Sequence, residues 1–324
     1  MPGNRPAREA ISATVQLFRD AGFETSRPCD AESSSFELAA RRKEDLVLLK
    51  FRTNAGEIEK SESAEMRGLS RRLGGSPLVV AERSGKEFLR PGVVYRRRGI
   101  LSVARETLAQ YLAEESPPLA FAGPGGLYVR IDGPSLGRAR IARGLSLGDV
   151  ASRLGVSRRT VQKYEREGMA ATVEKALMLE EFLQAEVVRP QSLLERDLSP
   201  EPPPRPLTDR RLLRFQNLGF EVHPATRAPF DAVLQTGGGD ADEEAGGRTL
   251  LVGLGSPNAA TYRRARITAS ISAVVKTASA FFVQGGAEAA GSESRETVFM
   301  DPAELESAED ARDLLVRIEE QKSG

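Results

Sequence analysis

The stretch "LGVSRRTVQKYERE", Leu154 to Glu167, decides how the middle of this 324-residue chain folds. Gly155 suits a left-handed turn, Val156 is an apolar plug behind it, and Ser157 is a good helix N-cap. In the helix that follows, Val161 and Tyr164 share one face. Arg158, Arg159, Thr160, Gln162, Lys163 and Arg166 are left to the other faces. Working outward, Ser146 and Asp149 form a capping-box pair at the start of a helix whose apolar residues Leu147, Val150, Ala151 and Leu154 keep the helical period. A helix over about Ser135–Arg143 precedes it and stops at Gly144. Gly168 ends the basic helix, and Thr172 caps a fourth one carrying Val173, Ala176, Leu177, Phe182 and Leu183. A short fifth helix is expected around Gln191–Glu195.

Charge sets this segment apart. The whole chain holds 46 basic and 46 acidic residues, yet Leu136–Arg166 contains eight basic residues against two acidic ones, a local excess of +6. A positive patch on an otherwise acidic body is the electrostatic footprint of a nucleic-acid-binding module.

The run "RIARGLSLGDVASRLGVSRRTVQKYEREG", Arg140–Gly168, resembles the helix-turn-helix domains of the Cro and phage-repressor type. That resemblance implies that the helix over 157–167 enters the major groove of double-stranded DNA, with Arg158 and Arg159 at its tip and Gln162 and Lys163 one turn on. It further implies a structural ion pair between Arg140 and Glu165. The family's glutamine near the start of the second helix, which clasps a phosphate, is Gly148 here. Ser146, Ser157 and the arginines are left to supply the phosphate contacts.

The flanks repeat one order of signals. A helix ends at Gly22-Phe23-Glu24 and again at Gly219-Phe220-Glu221. A strand opens with Phe36-Glu37 and with Phe230-Asp231, and a buried apolar strand follows at Leu46–Phe51 and Thr249–Leu254. A helix (Ser63–Leu73, Ala265–Thr277) and a further strand (Pro77–Ala81, Ala280–Gln284) close each copy. This order resembles the restriction-endonuclease and resolvase fold, whose active members need an acid on the first strand and an acid-x-lysine on the next to hold Mg²⁺. Here the first acid is Glu37 or Asp231. The acid-x-lysine position reads Leu48-Leu49-Lys50 in one copy and Leu251-Val252-Gly253 in the other, so a carboxylate is missing from both and the lysine from one. Both copies are therefore expected to be inactive, with Glu37 and Lys50 forming a surface ion pair.

The fold expected is multidomain: a central all-α helix-turn-helix flanked by two related α/β domains resembling the restriction-endonuclease-like fold. The division expected is 1–116, a linker with a short strand over 117–134, the DNA-binding domain over 135–197, a proline-rich linker over 198–209, and 210–324. The layout resembles a group of archaeal helix-turn-helix transcriptional regulators. It implies a non-enzymatic, sequence-specific regulator binding double-stranded DNA as a homodimer, with no cofactor. The alternative is a metal-dependent nuclease targeted by the central domain, and a third reading is a scaffold for a component of the transcription machinery.

Other features exclude more than they assign. One cysteine, Cys29, precludes an internal disulfide, and with the lone His223 it cannot make a zinc site. No secretory signal or membrane-length apolar run is visible, so the expectation is a cytoplasmic protein. "GPGG" at 123–126 reads as a turn, "YRRRG" at 95–99 as a solvated basic turn, and "GGGDADEEAGG" at 237–247 as an acidic hairpin tip.

Overall fold

A computed structural model describes residues 5–29, 34–196, 206–237, 248–285 and 297–323. The proline-rich 198–205 and nearly all of the acidic 237–247 segment lie outside these residues. The elements run, in chain order, α1 (Arg5–Asp20), β1 (Glu24–Thr25), β2 (Leu38–Arg42), β3 (Asp45–Asn54), α2 (Lys60–Arg72), β4 (Ser76–Ser84), β5 (Glu87–Phe88), β6 (Val93–Arg97), β7 (Ile100–Val103) and α3 (Arg105–Ala113). They continue with β8 (Ala120–Gly123), β9 (Gly126–Ile131), α4 (Gly133–Ala142), α5 (Leu147–Leu154), α6 (Arg158–Glu167), β10 (Ala170–Thr172), α7 (Val173–Leu183) and β11 (Val188–Arg189). The last stretch holds α8 (Arg210–Asn217), β12 (Phe220–Pro224), β13 (Ala232–Thr236), β14 (Thr249–Gly255), α9 (Ala259–Val275), β15 (Ala278–Val283), β16 (Val298–Met300), α10 (Pro302–Ser307) and α11 (Ala311–Ser323).

Two compact units result: one from residues 1–51, 58–78 and 194–324, the other from 52–57 and 79–193. In the first, β1–β2–β3 is an antiparallel meander with Leu38 opposite Leu49 and Arg42 opposite Asp45. The C-terminal sheet runs β12-β13-β14-β15-β16, antiparallel through β14 and parallel beyond it. Parallel β14 and β15 need a crossover, and α9 supplies it. Leu250, Val252, Ala280, Phe282 and Met300 form the core of this sheet with Phe215 of α8 and Leu314 and Ile318 of α11.

The two stretches share a register. The Glu37 N–H donates to Leu49 O and the Cys29 N–H to Glu37 O; the Asp231 N–H donates to Val252 O and the Ala225 N–H to Asp231 O. Glu37 and Asp231 therefore hold matching places, as do Lys50 and Gly253. The two stretches also pack together within this unit. The Arg27 N–H donates to Ser270 Oγ (2.7 Å), Arg41 donates to Val275 O (3.1 Å), and Glu65 accepts from Thr226 and Arg227.

In the second unit, β8 and β9 make a hairpin whose turn is "GPGG", with Gly123 opposite Gly126. Both β10 and β11 pair antiparallel with β9, so one small sheet ties the ends of the helical segment together. Its core is Leu136, Val150, Ala151, Leu154, Val161, Tyr164, Ala176, Leu179 and Leu183, with Val129 and Ile131 of β9. The sequence-based expectation of a fifth helix at Gln191–Glu195 fails, since those residues are turn and coil. The 117–134 stretch holds two strands rather than one. The second strand exists because β8 folds back on β9, and β9 also pairs with the short strands β10 and β11, contacts that local periodicity does not encode.

Candidate nucleic-acid interface

Three successive helices meet through caps written in the sequence. Asp132 caps α4 by accepting from the Ser135 N–H at 2.9 Å. Ser146 and Asp149 complete a reciprocal capping box at the start of α5, the Ser146 N–H donating to Asp149 Oδ2 at 2.7 Å. Ser157 Oγ accepts from the Thr160 N–H at 3.1 Å and lies 2.9 Å from Thr160 Oγ1, which ties that hydroxyl to the cap. Gly155 (φ 61°) and Gly168 (φ 57°) terminate α5 and α6 in the left-handed conformation that favours glycine. Hydrogen bonds from Ser146 hold the Asp149 carboxyl below its ordinary pKa, and the Ser135 N–H does the same for Asp132.

The turn between α5 and α6 is closed by the Val156 N–H donating to Ala151 O at 3.0 Å. Val161 and Tyr164 anchor α6, fully buried or nearly so. Burial also raises the pKa of the Tyr164 phenol. Arg158, Arg159 and Arg166 are exposed, and Gln162 and Lys163 are half-buried on the same helix. Ser146 and Ser157 are exposed at the two helix starts.

Arg140 and Glu165 clamp α4 to α6. Arg140 Nε donates to Glu165 Oε1 at 2.7 Å, Nη2 to Oε2 at 3.2 Å, and Nη1 to Leu145 O at 2.8 Å. Both side chains are 15% exposed, so the pair is partly shielded from solvent. The same helices touch at Gly133, where an added Cβ would lie 2.1 Å from Glu165 O. The clamp uses one cation and one anion of this surface, leaving the excess charge on the arginines of α6 and their neighbours.

Arg158 and Arg159 differ in setting. A Cβ built on Gly148 would lie 3.1 Å from both Nε and Nη2 of Arg158, so the guanidinium reaches back over the first turn of α5. It occupies the space a side chain at 148 would need.

In the first compact unit, Glu37 and Lys50 are not at the surface. Lys50 is fully buried, and its Nζ lies 3.0 Å from Glu37 Oε1 and 3.1 Å from Glu62 Oε1. It also donates to Ser34 O. Three acceptors thus match the three N–H bonds of one ammonium. Glu37 Oε2 accepts from the Phe51 N–H at 2.7 Å, and Glu62 Oε2 accepts from the Glu59 N–H at 3.4 Å. The expectation of a surface ion pair is wrong because β2, β3 and α2 bury all three charged groups together. The second carboxylate comes from a helix, not from Leu48. One signal could have found it: Glu62 shares the helical face of Met66, Leu69 and Leu73, which points inward.

A fold of this type implies a divalent metal held by the carboxylates. These residues do not fit one, because every oxygen of Glu37 and Glu62 is already engaged by protein donors and the pair is nearly inaccessible. Mg²⁺ requires several free oxygen ligands. Among the described residues, no group of three or more His, Cys, Asp and Glu side chains is placed to hold a metal ion.

The matching position in the C-terminal stretch is built otherwise. Asp231 Oδ2 accepts from the Leu254 N–H at 2.7 Å and from Arg264 of α9 at 2.7 Å. Gly253 stands where Lys50 would be, and a Cβ there would lie 2.2 Å from the Phe281 ring. Here the cation beside the acid comes from a helix rather than a strand, and the Phe281 ring fills the space next to Gly253. His223 Nε2 lies 3.1 Å from Glu221 Oε1 at the edge of this sheet. No described helix is long and apolar enough to cross a membrane.

Residues 7–118 match the model of a PD-(D/E)XK superfamily domain, and residues 136–188 match a helix-turn-helix model. Over 321 residues the chain is 40% identical to a Haloquadratum walsbyi protein named "Putative HTH-type transcriptional regulatory protein", covering 95% of this chain and 97% of that one. Proteins of the same name from Methanosarcina barkeri (35% over 326 residues, 96% of each chain) and Halobacterium salinarum (39% over 313 residues, 94% of each) are similarly close. No solved structure matches. With such identity over nearly its whole length, the chain belongs to this archaeal family of HTH-type transcriptional regulatory proteins.

Proposed function

We propose that the protein is a sequence-specific, double-stranded DNA-binding transcriptional regulator that reads the major groove with α6. The observation that carries this is the polarity of that helix. Val161 and Tyr164 are sunk in the core, while Arg158 and Arg159 stand at its free N-terminal tip, with Gln162, Lys163 and Arg166 behind them. Arginine at that turn can pair bidentately with guanine O6 and N7. Arg159 is the base reader in this reading. Arg158, drawn back over Gly148, is placed to take a phosphate beside Ser157 at the start of α6, and so replaces the missing side chain at 148; the Ser146 hydroxyl is committed to Asp149 Oδ2 at 2.7 Å. Thr160 supports the cap.

One such unit reads only a few base pairs, so the protein acts as a homodimer on an inverted repeat with half-sites about 34 Å apart. It works in the cytoplasm. We also propose that residues 1–116 form one PD-(D/E)XK-like domain, in line with the match over 7–118, and that residues 210–324 are a second, diverged copy of it. The 117–134 strands and the 198–209 linker then bracket a DNA-binding domain over 135–197. The shared register of Glu37 and Asp231 supports this. In this reading neither copy is a nuclease, since Lys50 and two backbone N–H groups engage both carboxylates of one, and the other has Gly253 and Phe281 where Lys50 would be.

Selection from a random duplex library, followed by titration of the enriched sequence, tests the assignment. The expected outcome is an enriched inverted repeat whose preference over scrambled DNA collapses with Arg159→Ala. No enrichment would remove the regulator reading. The nuclease alternative is tested with Mg²⁺ and Mn²⁺ on duplex, branched and single-stranded DNA. Cleavage abolished by both Glu37→Ala and Glu62→Ala would establish it.

A further inference from the structure

The small sheet of the second compact unit has two faces. On one of them Val129 and Ile131 of β9, Ala171 of β10 and Val188 of β11 turn toward the helical core. Strand alternation sends Phe121 of β8, Tyr128 and Arg130 of β9 and Arg189 of β11 to the other. Neither aromatic belongs to the helical core, and both are half-buried. Both arginines are exposed.

Register brings these four side chains together. Phe121 stands opposite Tyr128, and Arg130 stands opposite Arg189. The two ring centroids are 5.9 Å apart and the planes are tilted by 30°, so the rings form one aromatic strip across β8 and β9. Tyr128 leans over Gly123, where an added Cβ would lie 2.8 Å from the ring. Its hydroxyl donates to Pro124 O at 2.7 Å, which fixes the ring in that pose.

Two arginines directly opposite each other on antiparallel strands repel, and the arrangement is destabilising. Strands β8, β9, β10 and β11 contain no acidic residue. Among the described residues neither guanidinium has a hydrogen-bond or ion-pair partner. Asp132 acts on Arg189 only from beyond ion-pair distance, and its carboxylate accepts the Ser135 N–H. An anion between the two guanidinium groups would relieve the repulsion. Tyr128 and Arg130 are two residues apart, about 7 Å along the strand, so the aromatic strip and the cationic pair lie within the span of one nucleotide.

We propose that this face binds single-stranded nucleic acid, with bases stacking on Phe121 and Tyr128 and backbone phosphates meeting Arg130 and Arg189. Aromatic platforms joined to cationic tracks hold unpaired strands without sequence readout. A duplex keeps its base faces stacked inside and cannot use the aromatic strip. The face lies on the side of the sheet away from the helical core, so the inference does not rest on the major-groove assignment.

Fluorescence anisotropy of the full chain with labelled oligothymidylate and oligouridylate of about ten nucleotides tests this, with an unlabelled duplex of the same length as competitor. A Kd below about 10 μM is expected at about 50 mM salt. The tighter of the two strands identifies the preferred sugar, and equal binding means that the 2′-hydroxyl is not read. Phe121→Leu and Tyr128→Leu keep apolar bulk but lose the ring face, and each should weaken binding by about tenfold. Arg130→Gln and Arg189→Gln should each lower the slope of log affinity against log salt by about 0.7, which the leucine variants leave unchanged. The arginine variants sit at exposed positions, so they decide the matter even if a leucine variant unsettles the hairpin. Arg159→Ala should change neither affinity nor slope. Four results would overturn the proposal. One is no binding of either strand at about 100 μM protein. Another is either pair of variants binding like the parent. The third is the duplex competing as well as the single strand, and the fourth is loss of binding with Arg159→Ala, which would place the strand on α6.

Discussion

Replacing Lys50 with methionine keeps a long unbranched side chain at a fully buried position and removes only the ammonium. Glu37 Oε1, Glu62 Oε1 and the Ser34 carbonyl all lose the donor they share. Breaking a buried ionic network by deleting one partner costs about 3–5 kcal/mol, because the remaining charges stay desolvated. In a unit of roughly 200 residues each kcal/mol moves the melting temperature by about 2–4 °C, so a fall of about 6–20 °C is expected. Calorimetry of the full chain reads the shift. Hydrogen exchange with mass spectrometry places it: amides of β2, β3 and α2 lose protection, while those of α4 to α7 do not. A triple variant that adds Glu37→Gln and Glu62→Gln should recover most of the loss, since no charge is then stranded. Were Lys50→Met to melt within about 2 °C of the parent, under 1 kcal/mol by the same scale, the buried-network argument would be wrong. If the triple variant recovered nothing, the loss would lie in packing rather than in charge.

Gly133→Ala should destabilise the helical segment by about 1–3 kcal/mol, because the added methyl group meets the backbone of α6, which has no rotamer to escape into. Unchanged exchange protection in α4 and α6 would show that this contact relaxes freely. Arg159→Ala should cost about 1–3 kcal/mol on the selected sequence only. Arg158→Ala should instead weaken binding on all sequences and lower the salt slope by about 1, so identical behaviour of the two variants would refute their separate roles. Asp132 and Asp149 have pKa values held below the ordinary carboxylate range in the folded state. Their capping contribution is thus full above about pH 4 and is lost only as pH falls further, through the lowered values. Circular dichroism from pH 8 to 3 checks this, and a loss of helix assigned to α5 already between pH 7 and 5 would contradict it.

What could be read from sequence divides by range. The helices of the central segment announce themselves because their signals are local: Ser146 with Asp149, Ser157 with Thr160, and glycines at 155 and 168 that must turn left-handed. Strands β10 and β11 give no such signal. They are three and two residues long and exist because β9 offers them partners far along the chain. The apolar strands β3 and β14 were legible as buried runs, and their boundaries moved only at the ends. The charged trio was half legible. Glu37, one residue before β2, and Lys50 on β3 stand at a recognisable spacing, but Glu62 joins them only through tertiary packing of α2. Arg264 in the C-terminal stretch was missed for the same reason: a helix residue takes over the partnership that a strand residue holds elsewhere.

The ring of Phe281 lodged against Gly253 bears on how this half of the molecule can change over generations. A lysine introduced at 253 would collide with the ring. Shrinking Phe281 first would open a cavity in a finished core, at about 3–5 kcal/mol for loss of the whole ring. Either single step is costly, and only the simultaneous pair yields a strand cation facing Asp231. The Arg264–Asp231 contact weakens the pull further, since the acid already has its counter-charge. With the ring and the helix arginine in place, no single substitution turns this stretch into a strand-lysine site like that of Lys50.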